Sequence, residues 1–236
     1  MPPPVFHLFG TSHLIVLALT VLIAVALVWH RRRKPGAFDA ADGALVIALL
    51  LQWPASIAAH WQLGDLSIQS GLPLHFCDVA AFAGVAALML RHQLAAEICY
   101  FFGLAGTLQG LITPALREDF PHLRFFAFFL LHSTTVITAI YLMAGWRFTP
   151  RPQAPMRMLG WMAVYAASVG AINTLLRTNY GWVCEKPPSP SLMDVLGPWP
   201  AYVLALGGVG LVIFTLLDLP FITRRKLDLS LPSKHD

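Results

Sequence analysis

The chain has 236 residues, 57% of them hydrophobic and 12% charged, with a mean hydropathy of +0.65 and a formal net charge of +4. So little charge cannot cover a soluble domain of this length. The apolar stretches are continuous and do not alternate, which excludes a transmembrane β-barrel.

A helix crosses the hydrocarbon core with about 20 apolar residues. Runs at 11–29, 41–61, 72–90, 94–113, 125–145, 158–177 and 199–219 predict seven spanning helices in one all-α domain over 1–236. The first run is followed by its basic cluster, HRRRK (30–34), and so reads as an anchor helix and not as a cleavable leader. His7 and His13 beside it are expected at the membrane interface. The second run carries a polar stripe, Gln52, Ser56 and His60, spaced four apart. It ends in HWQLGD (60–65), a His-x4-Asp pattern shared with glycerolipid acyltransferases; with two fixed positions it reads as coincidence.

The third run opens on LPLHFCD (72–78), where a lipid-facing helix would carry Leu and Val. Gly103, Gly106 and Gly110 of the fourth predict a close helix–helix contact, with Gln109 and Thr113 in its outer part. The fifth carries LLHSTT (130–135), with His132 deep in the helix. The sixth ends in Asn173 and Arg177. The last contains no Lys, which excludes a retinal Schiff base.

Lys and Arg set the orientation. Twelve of the sixteen fall on one side: 31–34, Arg91, Arg147, Arg151, Arg157, Arg224, Arg225, Lys226 and Lys234. Arg117, Arg124, Arg177 and Lys186 fall on the other. This predicts the N-terminus outside and the C-terminus inside. The basic balance is then a topology signal and an attraction to anionic lipid head groups, and does not point to nucleic acid. Between helices, 146–157 reads as a proline-rich inner linker and 178–198 as an ordered outer cap.

Ionisable side chains inside a membrane are costly and read first as functional. Here they gather in the outer half. By helical rise, Cys77 lies roughly 8 Å and His132 roughly 10 Å below the outer helix ends. His60, His75, Asp78, Gln109, Asn173, Arg177, Asn179, Tyr180 and Lys186 lie nearby in the same half. The inner half reads as nearly bare, Glu97 and Asp218 apart. His75 and Asp78, three residues apart, share a face, while Cys77 points elsewhere, so the better partner for Cys77 is a histidine of another helix, and His132 is at the right level.

Cys77 has three readings: a packing residue, a nucleophile activated by His132, or half of a disulfide with Cys184. His132 reads as a base or as interhelical glue. Cys99 reads as packing. No metal-ligand spacing occurs among the histidines, so no metal or other cofactor is expected.

With LPLHFC (72–77), LLHS (130–133) and TNYGWVCEKPPSPSLMDVLGPWPAY (178–202), the chain resembles the YwaF-like bacterial integral membrane proteins. More distantly it is similar to the eukaryotic transmembrane protein 164 family, described as acyltransferases that place a fatty acyl chain on a lysophospholipid through a membrane-embedded cysteine. The resemblance implies a multi-pass protein of the bacterial cell membrane, with phospholipid and lysophospholipid as partners. It puts the nucleophile at Cys77 and suggests His132 as the base, and the NY and KP pieces fall on Asn179, Tyr180, Lys186 and Pro187. Asn173, Gln109 or Asn179 would then serve an oxyanion, and Arg177 and Lys186 a head-group phosphate. Two rivals use the same residues differently: a permease with a polar substrate site, and a non-catalytic scaffold with 178–198 as its surface.

Overall fold

The computed structural model describes residues 4–187 and 192–230. Residues 188–191 of the expected outer cap and Lys234 lie outside the described residues.

All seven expected spans are helical and long enough to cross a membrane. Helices α1 (Thr11–Arg33) and α2 (Ala40–Leu63) form the first two. The 23 residues of α1 rise about 35 Å, more than the roughly 30 Å of a hydrocarbon core. The third span is broken. A single turn, α3 (Ile68–Gly71), is followed by extended chain, and α4 (Phe76–Leu90) begins only at Phe76. Pro73 causes the break: it has no N–H to give and holds Leu72 extended, at φ −94° and ψ 138°. The expected continuous helix from 72 is therefore corrected, and Cys77 sits in the first turn of α4.

The fourth span consists of α5 (Gln93–Phe102), a π-helical turn (Gly103–Thr107) and α6 (Leu108–Ile112). The fifth is α7 (Leu123–Ile140), ending in a second π-helical turn (Tyr141–Gly145). The last two are α8 (Ala154–Leu176) and α9 (Ala201–Ser230).

Helices α2, α4, α5 and α7 make the centre, α1 lies on α7, and α8 and α9 pack chiefly on each other. Lipid tails are as apolar as leucine, so close packing holds such a bundle together. A side chain on Gly84 would meet Cys99, Leu49 and Thr138 at 3.2 Å, so α4, α5, α2 and α7 meet at one point. Cys99, fully buried there, is a packing residue. Stacked Phe76, Phe102 and Phe214 tie α9 to the centre. Exposed Leu22, Leu204 and Leu216 cover the outer surface.

The basic end of the bundle is not bare. Asp42 is fully buried and Arg31 is 3% exposed, and the two are paired. The Tyr141 hydroxyl and the Trp146 indole N–H each donate to Asp42 Oδ1 at 2.9 Å, and Arg31 Nε donates to the Tyr141 hydroxyl at 2.9 Å. Buried Glu97 accepts from the Arg151 backbone at 2.7 Å and its guanidinium at 2.8 Å, and Asp218 pairs with Arg225 at 2.6 Å. The expected nearly bare inner half is corrected at Arg31 and Asp42: beside the expected Glu97 and Asp218 a buried pair lies there, and these groups are spent on their partners.

Asp39 starts α2 as its N-cap, accepting from the amides of Ala41 and Asp42, while Asp42 Oδ2 accepts from the Asp39 amide at 2.8 Å. Burial pushes the Asp39 carboxyl up, but His30, the cap amides and Arg31 outweigh it, and the net position lies below the usual carboxylate range. Its stabilising contribution is therefore complete at neutral pH. It fades as pH falls from the ordinary Asp value toward the lower folded one. Asp39→Ala is expected to cost about 1 kcal/mol and to flatten the acid limb of a thermal-unfolding profile in detergent.

Candidate functional site

The site lies at the end opposite the basic cluster. His75 is the residue before α4, and its backbone N–H donates to Asp78 Oδ2 at 3.0 Å. That explains the three-residue spacing of His75 and Asp78: the carboxylate closes the helix start. The His75 ring accepts from Gln69 Nε2 at 3.4 Å and packs on Tyr180 at 5.2 Å.

Half-buried Cys77 is the second residue of α4, where amide N–H groups have no helical acceptor. The Thr107 hydroxyl of the π-helical turn faces its sulfur. That hydroxyl is buried and makes no well-formed hydrogen bond among the described residues. Tyr165 of α8 closes this side: it donates to the Leu74 carbonyl at 3.0 Å and packs edge-on to Phe76 at 5.3 Å.

His132 is 7% exposed on α7, stacked on Phe128 at 4.0 Å. Its Nδ1 lies 2.8 Å from the Phe128 carbonyl. A carbonyl only accepts, so Nδ1 carries the proton and Nε2 presents a lone pair. Nε2 makes no hydrogen bond among the described residues, and it lies against Gly110 of α6, where a Cβ would sit 2.6 Å from it.

Cys77 and His132 are not hydrogen-bonded to each other. They flank one strip of the fourth span, Cys77 beside Thr107 and His132 beside Gly110. Thr107 and Gly110 are three residues apart, roughly 4.5 Å of helical rise. Gly110→Ala is expected to displace the imidazole, cost about 1–3 kcal/mol through overpacking, and lower any activity of the site. Gly160→Ala, which meets nothing within 4 Å, is the control for thermal unfolding.

Arg124, at the start of α7, reads in the sequence only as a topology charge. It lies within electrostatic reach of His132, His75, Glu118 and Asp65. No local signal marks it, because the groups it faces come from three other segments.

The remaining expected residues divide. His60 and Asp65 do meet, Nδ1 to Oδ1 at 2.8 Å, so the His-x4-Asp spacing is a real contact at the end of α2. Asn173 is committed to the outer loop: its Oδ1 accepts from the Tyr180 amide at 2.8 Å and Thr178 at 3.0 Å, and its Nδ2 donates to the Tyr180 carbonyl at 3.1 Å. Asn179 likewise holds Cys184 and Glu185. Gln109 is exposed. None of these three amides points a spare donor at Cys77. Tyr180 is fully buried, its hydroxyl donating to the Ile68 carbonyl; burial first, then the Asp78 carboxylate, push that phenol above its ordinary value. Lys186 lies over the Tyr202 ring at 5.7 Å, and Arg177 is exposed. Cys77 and Cys184 are both free thiols, Cys184 accepting from Asn173 at 3.6 Å. His13 lies in the first turn of α1 and faces the protein. It is fully buried, accepting from the Phe9 amide at 3.1 Å and donating to the Leu111 carbonyl at 3.0 Å, and so pins α1 to α6.

Seven spanning helices, with polar groups of several helices drawn together near one end, define a multi-pass integral membrane protein. Residues 8–218 match the model of the TMEM164 family, and the chain belongs to that family. No curated protein and no solved structure matches it.

Proposed function

We propose that the protein transfers acyl chains between membrane lipids, with Cys77 as nucleophile and His132 as general base. The observation that carries this reading is the His132 tautomer: Nδ1–H is fixed on the Phe128 carbonyl, and Nε2 is left as an unpaired acceptor on the strip that also borders Cys77. Family membership supports it.

In the first half-reaction the thiol proton passes to His132 Nε2. The sulfur forms a bond to the acyl carbon of a phospholipid, the ester C–O bond breaks, and the leaving oxygen takes the proton from His132. In the second, the hydroxyl of a lysophospholipid gives its proton to Nε2 and attacks the thioester. The C–S bond breaks and the thiol is restored. The amides of Phe76 and Cys77, which have no carbonyl acceptor among the described residues, are better oxyanion donors than Asn173, Asn179 or Gln109, whose side chains are committed or turned outward. Arg124 replaces Arg177 and Lys186 as the cation for the head group. By the distribution of Lys and Arg, the site opens on the outer leaflet of the cell membrane, with the N-terminus outside.

The test is incubation of the protein in nanodiscs with a phospholipid carrying a labelled acyl chain and an unlabelled lysophospholipid. Labelled diacyl product, with a hydroxylamine-sensitive acyl adduct on the Cys77 peptide, is the expected result. Absence of both sinks the reading and favours transport or scaffolding.

A further inference from the structure

At the basic end, four arginines line a cleft of about 270 Å³, and three of them, from three segments, have no carboxylate partner among the described residues. Arg32 comes from the end of α1, Arg91 from the residue after α4, and Arg147 from the second residue after the π-helical turn that ends α7. Two are anchored without being neutralised: Arg32 Nε donates to the Ala144 carbonyl at 2.6 Å, and Arg91 Nη2 to the Gly36 carbonyl at 3.2 Å. Trp146 forms a platform between two guanidiniums, with Arg91 at 4.2 Å from its ring centre and Arg31 at 4.5 Å.

The neighbouring carboxylates are already taken. Asp42 and Asp39 both pair with Arg31, and Asp39 also with His30. Arg32, Arg91 and Arg147 form no ion pair among the described residues, and all three are exposed. Three like charges around one cleft repel one another. Arg91 and Arg147 also sit at φ +51° and +60°, a left-handed conformation that a side chain adopts only against resistance. At Arg91 this is the left-handed cap that ends α4, and from these two positions both guanidiniums reach one cleft. Guanidinium forks match the paired oxygens of a phosphate, and basic pockets between helix ends suit lipid head groups.

We propose that this cleft is a discrete site for a phosphate group, supplied by an anionic phospholipid head group or by inorganic phosphate. It is separate from the Cys77 site, at the other end of the bundle, and does not depend on its chemistry. The guanidiniums of Arg32, Arg91 and Arg147 hold the phosphate oxygens, and the Trp146 ring fixes the Arg91 fork from behind.

The experiment is equilibrium binding to the full chain in neutral detergent, with three probes: a short-chain phosphatidic acid, inorganic phosphate and a short-chain phosphatidylcholine. The double variant Arg91→Asn/Arg147→Asn removes two charges, and asparagine tolerates the left-handed backbone. Arg33→Gln removes one charge outside the cleft, where Arg33 lies on Trp29 at 3.9 Å. Saturable binding of phosphatidic acid, about tenfold or more weaker in the double variant and little changed by Arg33→Gln, is the expected result. Inorganic phosphate binding with the same variant pattern keeps the site and makes a soluble anion its source. The proposal is overturned by non-saturable binding, by equal binding of phosphatidylcholine, or by a loss with Arg33→Gln as large as that of the double variant. If the double variant does not fold, Arg32→Gln alone must still weaken binding severalfold, or the site is rejected.

Discussion

Cys77→Ala is expected to abolish acyl transfer and the hydroxylamine-sensitive adduct together, leaving the thermal-unfolding midpoint nearly unchanged. The sulfur is half-buried and fills little space, so alanine leaves a small void. His132→Ala is expected to lower the rate by about 10²–10⁴, the usual worth of a positioned base. His132→Gln sharpens the test: the side chain stays polar but cannot take up a proton. Arg124→Gln should raise KM for lipid substrates more than it lowers kcat, because a head-group contact exists before and during reaction alike. Transfer that persists in the Cys77 and His132 variants would mean that chemistry, if any, lies elsewhere. The His60–Asp65 contact would be the next place to look.

Asp42→Ala should produce the largest loss of stability in the molecule. It removes an acceptor of Arg31, Tyr141 and Trp146 at once and leaves a guanidinium that is 3% exposed with only the partly exposed Asp39 as its carboxylate. Breaking one side of a buried pair costs about 3–5 kcal/mol, enough to prevent recovery of folded protein from detergent. Arg31→Met/Asp42→Leu should recover part of that loss, since no charge is left alone. It cannot recover all, because the Tyr141 hydroxyl and the Trp146 N–H still lack their acceptor. Equal stability of the single and double variants would show that the charges are not the reason for the cluster.

The spans were legible in the sequence because length and continuous apolarity decide membrane insertion before packing does. The family was legible as well, through LPLHFC, LLHS and the 178–202 segment. Three things were not. Pro73 lies in an apolar run, and apolarity alone cannot say that the helix waits until Phe76. Asp42 stands eleven residues from Arg31 and about a hundred from Tyr141 and Trp146, so no local pattern announces their cluster. The site residues were placed by depth, and depth does not say which amides are free: Asn173 and Asn179 share the right level but serve the loop. Thr107, whose hydroxyl faces the thiol, carries no local signal, because threonine inside a helix commonly satisfies its own backbone.

The π-helical turn Gly103–Thr107 counts as one residue more than a regular helix would need: Leu108 N–H reaches back five residues, to the Gly103 carbonyl. Deleting Ala105 should let the segment wind as an ordinary helix without shortening the span by a full turn. Because the surplus is absorbed within that turn, the helix on either side would keep nearly its present phase. Gly110 would stay against the imidazole and Tyr100 and Phe101 would stay in place, and only the widening beside Thr107 would be lost. The surplus residue thus behaves as a local spacer, and a chain of 235 residues could keep its membrane fold and lose only the bulge that faces its thiol.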